Sequence, residues 1–443
     1  MKKTLHLFLF LSLMASINAQ TPSNLWTPQG VGLLPKNYDV LSISIVNKDV
    51  VWAIADTTFV NPVPSTHSVK LLKTTNGGAS WQVSSVAPAE GRYGLDIHAV
   101  DASTAWLAVQ RIGSSGHSLL KTTDGGVTWT EKFNTYAASL FVRFFDAQNG
   151  FIWNRHAFAK TTNGGDSWNP TTVAGWSNTE GFLTGSITNS CITIGDTIMG
   201  GTSTSRICMS PDRGTTWKFQ DLRPLPFFGE QVAILSLAFK DARNGIAMGW
   251  NQTNAITYLA KTTDGGTTWA RIETYPFTVG TSVEYIRGTN NSYMVVDSDG
   301  LTAYTTNAGQ SWVKIDSTTS QTQRFLDRQT GWIGIVQAKV GGPAMYKWNG
   351  GNILSSIKVL EAEDVSLKVS PNPTSRFLNV EYANDFKPTS LTIYDASGKT
   401  VLSQTNQPTT PQKIDLQGFE NGVYLVQLKN TEGVVAQKIV VQH

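Results

Sequence analysis

The side chains able to do chemistry are few and scattered. Asp124, Asp212 and Asp264 each sit in a recurring turn, and their first reading is as acids or metal ligands. Sister copies of that turn carry Asn76, Asn163 and Asn307 instead. Asn and Asp are interchangeable in turn geometry but not in acid–base work, so a turn-forming role is expected. His98, Arg143 and Arg324 fall at equivalent places when the repeats are aligned, with Arg287 close by. Such a set can ring the mouth of a channel and hold an anion bidentately. The competing reading is that these residues solvate the channel or pair with Asp96 and Glu284. A glycosidase needs two carboxylates flanking the scissile bond. Asp96, Glu180, Glu230 and Glu284 are the candidates near inner segments, and none is singled out.

Familiar catalytic signatures are missing. There is no G-x-S-x-G elbow, no H-E-x-x-H helix and no P-loop. The six histidines show no metal-ligand spacing, and no calcium loop of the EF-hand type is present. No metal and no cofactor are expected. Aromatic residues in connecting segments, Trp176, Tyr93, Phe227, Phe228, Tyr275 and Phe277, offer platforms for sugar rings or protein partners. Packing beneath long loops is the bland alternative.

The elements that must position these residues announce themselves by repetition. A nine-residue turn occurs at residues 73–81 (KTTNGGASW), 121–129 (KTTDGGVTW), 160–168 (KTTNGGDSW) and 261–269 (KTTDGGTTW). Looser copies lie at 209–217 (MSPDRGTTW) and 304–312 (YTTNAGQSW). The terminal tryptophans, Trp81, Trp129, Trp168, Trp217, Trp269 and Trp312, are 48, 39, 49, 52 and 43 residues apart. An Asn-Gly or Asp-Gly pair is a strong hairpin signal, because both central residues accept positive φ. The Asx side chain accepts backbone N–H groups, and Trp then plugs the space between sheets. A second frame, D-x-x-x-G, precedes the turns at 101–106, 146–151, 241–246 and 327–332, and residues 47–52 fit it too. Each blade therefore reads as four antiparallel strands. Seven blades are expected, starting near Val40, Gly94, Ser139, Ser186, Ala233, Val283 and Gln323. The seventh has only a worn turn at 346–351 and no fourth strand, so residues near 24–30 are expected to complete it.

These turns resemble the Asp-box, or BNR, repeat. The KTTDGGxTW form resembles the photosystem II stability/assembly factor-like and sortilin-type propellers over about residues 24–357. The resemblance implies an all-β, seven-bladed β-propeller and says little about function. Asp boxes also occur in sialidases and xyloglucan-cleaving glycosidases. The N-terminal arginine motif of sialidases is missing here, and Glu284 and Tyr285 are neighbours that point to opposite faces of a strand.

The ends of the chain carry transport signals. Residues 1–19 combine Lys2 and Lys3 with an apolar run too short to span a bilayer, so a cleaved signal peptide is expected. After a linker at 358–366, residues 367–443 carry short alternating runs and turn residues, consistent with a small Ig-like β-sandwich. The Pro371-Asn372-Pro373 stretch, IYDASGK at 393–399 and NGVYLVQL at 421–428 resemble the type A sorting domain of type IX secretion. That resemblance implies passage through the type IX secretion machinery, cleavage of the domain, and release or attachment at the outer surface. A net charge of +3, from 35 basic and 32 acidic residues, gives no footprint for nucleic acid. Cys191 and Cys208 bridge only if the first turn of blade four is at 189–190; a turn at 195–196 places them on strands one and three. Two functions follow: a non-catalytic scaffold binding protein or glycan, or a glycoside hydrolase of sialidase-like or glucan-cleaving type.

Overall fold

The computed structural model describes residues 25–57, 68–113, 116–135, 140–154, 158–176, 190–229, 232–251, 253–273, 275, 280–297, 301–316, 320–336, 341–349, 358–360, 365–383, 386–395, 400–405, 408–430 and 433–443. The chain divides into two compact units, residues 1–351 and 352–443.

The first unit is a β-propeller. Its described residues form seven four-stranded antiparallel sheets. Their innermost strands, taken as sheets one to seven, are Tyr38–Ile45, Arg92–Ala99, Leu140–Phe144, Cys191–Ile194, Val232–Phe239, Gly280–Tyr285 and Ser320–Phe325. Sheet seven takes its fourth strand from Trp26–Gln29, which pairs with Met345–Trp348. Trp26 stands opposite Trp348 and Gln29 opposite Met345. Second strands bring large rings into the core: Trp52, Trp106, Trp153 and Trp332 are all fully buried.

The recurring turns are built alike. In box two, Thr122 Oγ1 donates to Asp124 Oδ1 (2.8 Å) and accepts from Gly126 N (3.0 Å), while Thr128 N donates to Asp124 Oδ1 (2.9 Å). Asn163 does the same work in box three, where Ser167 N donates to its Oδ1 at 3.0 Å. The left-handed residues are not the Asx but the two that follow it. Gly77 and Gly78 have φ of 66° and 89°; in the looser boxes Arg213 and Ala308 occupy the first of these places. The second place is always glycine, for a steric reason. A Cβ on Gly126 would lie 2.4 Å from Leu71, on Gly214 2.7 Å from Phe158, and on Gly309 2.6 Å from Ile272, each in the preceding sheet.

A cross-sheet clasp repeats beside the boxes. Lys73 Nζ donates to Gly125 O (3.2 Å), Lys121 to Gly164 O (2.7 Å) and Lys347 to Gly77 O (2.7 Å). Each ammonium also lies over a core tryptophan of its own sheet, Trp52, Trp106 or Trp332. Burial lowers the pKa of Lys73 and Lys121.

In sheet four the turn falls at Gly195–Asp196, since Ile194 pairs with Thr197. Cys191 and Cys208 then stand on strands one and three, on either side of Gly200. Both are buried free thiols.

The second unit has two sheets. The strand order of the larger is Lys358–Leu360, Gly433–Val441, Gly422–Lys429, Ser390–Asp395, Thr400–Gln404. The smaller runs Lys368–Ser370, Phe377–Glu381, Gln412–Asp415. Alternation drives the pairing: Leu391, Ile393, Val426, Leu428, Leu378, Val380 and Ile414 meet in one apolar core. The strand at 358–360 pairs with the last strand of this unit, within a stretch whose sequence alone reads as linker.

Candidate functional site

The propeller channel gathers the charged candidates. Its innermost strands present one register position repeatedly, opposite the second residue of the next strand. His98 stands opposite Trp106, Arg143 opposite Phe151, Glu284 opposite Met294 and Arg324 opposite Trp332. Ser44 and Ala238 hold the same position in sheets one and five.

The contacts are specific. Arg143 Nη1 forms an ion pair with Asp96 and also donates to Val142 O (2.7 Å). Asp96 further accepts Ser42 Oγ–H (3.0 Å) and the Val142 N–H (3.3 Å), so one carboxylate joins sheets one, two and three. Both partners are buried, Asp96 at 1% and Arg143 at 8% exposure. Arg324 Nη1 lies 3.7 Å from Glu284 and donates to Gln323 O (3.0 Å). His98 Nε2 meets Phe144 O at 3.0 Å. Donation by the ring N–H is the only arrangement a carbonyl allows.

The electrostatics follow from this crowding. Burial, aided by the Arg143 and Arg324 charges, pushes the His98 imidazole down to about 3. Burial is the largest influence on Arg143 and opposes its charge, but the charge and hydrogen bond of Asp96, with Cys191 and Glu284, together raise the guanidinium above its ordinary value. Arg324 goes the other way, lowered first by burial, with Glu284 compensating only in part. Burial raises the Cys191 thiol to about 12 despite Arg143 nearby, so it is not a nucleophile at neutral pH.

A pH dependence follows from His98. In the unfolded chain an imidazole titrates near 6.5; in the fold it does so near 3. The unfolded state therefore takes the proton first, and stability is lost as pH falls from about 6.5 towards 3. Melting temperature measured across that window should fall more steeply for the wild type than for His98→Gln, and parallel curves would refute the assignment.

The remaining candidates are dispersed. Arg287 is exposed beyond the strand end and acts on Arg324 only through its charge. Trp176 is half-buried against Phe219 (5.8 Å). Tyr275 donates its hydroxyl to Thr257 O (2.7 Å). Phe277, Glu180 and Glu230 lie outside the described residues. The expectation of an exposed Phe228 needs correction. It is 2% exposed, packed under Tyr258 and against Gly249, where a Cβ would come within 2.8 Å of its ring. Its neighbour Phe227 turns outward and is 58% exposed. The box residues Asn76, Asp124, Asn163, Asp212, Asp264 and Asn307 hold turns, through Thr or Ser hydroxyls in every copy. Trp81, Trp129, Trp168, Trp217, Trp269 and Trp312 close those turns; Trp217, for example, meets Phe158 of sheet three edge-on at 4.8 Å. The lysine clasps were missed at the sequence level, although the Lys repeats in the motif.

Among the described residues no group of three His, Cys, Asp or Glu side chains is placed to hold a metal ion. No described helix is long and apolar enough to cross a membrane.

Solved structures similar to this chain are propellers. YCF48 from Cyanidioschyzon merolae is 14% identical with a TM-score of 0.53, over 73% of this chain and 99% of that one. YCF48 bound to D1 peptide is 13% identical with a TM-score of 0.52, over 73% and 97%. No curated protein matches the chain. Residues 368–442 match the secretion system C-terminal sorting domain family. The chain is thus an exported β-propeller bearing a type IX secretion sorting domain, destined for the cell surface or the medium.

Proposed function

We propose that the propeller is a non-catalytic scaffold that binds a protein or glycan through the loops of one face. One observation carries this reading: the channel charges are matched among themselves. Asp96 is engaged by Arg143, Ser42 and the Val142 amide, and Glu284 faces Arg324. A glycosidase needs one carboxyl held protonated and a second free to attack or activate water. Here Asp96 and Glu284 each face a guanidinium group instead, so neither is left open to a substrate or a water. With the channel committed to holding sheets together, ligand contact falls to the connections, where rigid scaffolds place it.

The test uses the full chain on a panel of immobilised neutral and acidic glycans, with reducing-end release measured on every glycan retained. Retention without release is expected. Release that disappears in Glu284→Gln would overturn the scaffold in favour of a hydrolase.

A further inference from the structure

The connection from sheet four to sheet five carries an unusual residue. Phe227 has φ of 71°, a left-handed conformation that bulky side chains rarely adopt, and its ring is 58% exposed. Strain of this kind, held in place by its surroundings, is characteristic of binding sites. The hold is visible. Phe228 is buried beneath, Phe228 N donates to Leu225 O (3.1 Å), and Leu225 N donates to Leu222 O (3.0 Å). Pro224 and Pro226 stiffen the same stretch.

Three planar groups meet at this point. The Arg271 guanidinium lies 4.0 Å from the Phe227 ring centre, Tyr258 stacks at 5.6 Å, and Arg271 is 5.6 Å from the Tyr258 ring. Had Arg271 and Tyr258 flanked Phe227 on opposite faces, they would stand apart by nearly the sum of the first two distances. They do not, so both support Phe227 from one side and neither covers the other face.

Polar groups surround the ring. Glu273, exposed, pairs with Arg271 Nη1 at 3.3 Å, and Asn254 Nδ2 donates to the Tyr258 hydroxyl at 3.1 Å. The Arg271 Nε is buried without a hydrogen-bond partner. The Arg271 charge is already matched by Glu273, so the platform has no local charge excess to attract an acidic ligand.

We propose that Phe227, backed by Arg271 and Tyr258, is a glycan platform that stacks one uncharged pyranose ring, with Glu273 accepting hydroxyls beside it. This deepens the scaffold reading and rests on it. A sugar is favoured over a protein by what is absent around the ring. Among described residues of the propeller, the other exposed large hydrophobics are Val31, Leu33, Val127 and Val313, none of them in this connection. A protein partner needs an apolar centre built from several residues. A pyranose needs one flat ring and hydrogen-bonding neighbours.

The experiment is calorimetric titration of the full chain with cellohexaose, mannohexaose and chitohexaose, and with hexagalacturonate as the acidic comparator. Wild type is compared with Phe227→Asn and Phe227→Trp. Asn tolerates the left-handed φ, so its melting temperature should hold while affinity for a neutral hexasaccharide falls roughly tenfold or more. Trp should keep affinity within about threefold, because it restores the stacking face. Equal affinity in Phe227→Asn overturns the platform but leaves the scaffold standing, with its ligand bound elsewhere. Preference for hexagalacturonate, or no binding of any neutral hexasaccharide, overturns the uncharged-glycan assignment and leaves the scaffold a different ligand.

Discussion

Replacing Arg143 with alanine should destabilise the propeller by about 3–5 kcal/mol, the usual consequence of leaving a buried charge without its partner. Asp96 is 1% exposed and has no route to water. Its other donors, Ser42 Oγ and the Val142 amide, cannot neutralise it. The damage should spread, because this carboxylate joins three successive sheets. The double variant Asp96→Asn/Arg143→Met should recover much of the loss, since removing both charges also removes the desolvation penalty. Urea unfolding midpoints of the three proteins decide the matter. If Arg143→Ala unfolds at the wild-type midpoint, the pair does not hold the sheets.

The second large effect concerns the strand Trp26–Gln29. Trp26 is 6% exposed and meets Trp348 edge-on at 4.9 Å. Ala344 N donates to Gln29 O and Asn349 N to Leu25 O, both at 2.9 Å, and Thr27 bonds the Asn349 side chain. Gln29 Oε1 also accepts Trp81 Nε1–H (3.0 Å), so the strand touches sheet one as well as sheet seven. Trp26→Ala should lower stability by about 3–5 kcal/mol, as expected for a buried ring. Removing residues 25–29 should do more. Trp26→Phe is the informative control. The Trp26 Nε1 has no hydrogen-bond partner, so phenylalanine keeps an aromatic ring in the seam and forfeits no bond. A melting temperature unchanged by the deletion would reject a closing role for this strand.

Much of this architecture was legible in the sequence because it is local and repeated. The Asx-Gly turns, the D-x-x-x-G frames and the Trp at each box end give strand order without reference to distant residues. The two possible registers around Cys191 could not be separated that way. Both satisfied alternation, and only the pairing of Ile194 with Thr197 chose between them. The candidate site was half legible. Alignment of the repeats brought His98, Arg143 and Arg324 to one register position and offered Asp96 and Glu284 as partners, but it could not choose pairing over an open anion site, because Asp96 reaches Arg143 from another sheet. Nor does sequence tell Phe227 from Phe228. Adjacent apolar residues in an irregular loop carry no periodicity, and which one faces water depends on a single left-handed residue.

The lysine clasps have a mechanical consequence. Lys347, Lys73 and Lys121 tie sheets seven, one, two and three in series, each to the turn of the next. Sheets four and six carry Met209 and Tyr304 where the lysine would stand, and neither has an ammonium to offer a carbonyl. Sheet four makes the equivalent hold with an uncharged amide, Gln220 Nε2 donating to Gly265 O at 2.6 Å, and sheet five reaches sheet six through Lys240 Nζ and Asn290 Oδ1 at 2.8 Å. Neutralising the lysines should therefore loosen the arc that the N-terminal strand seals and leave the amide hold between sheets four and five as it is.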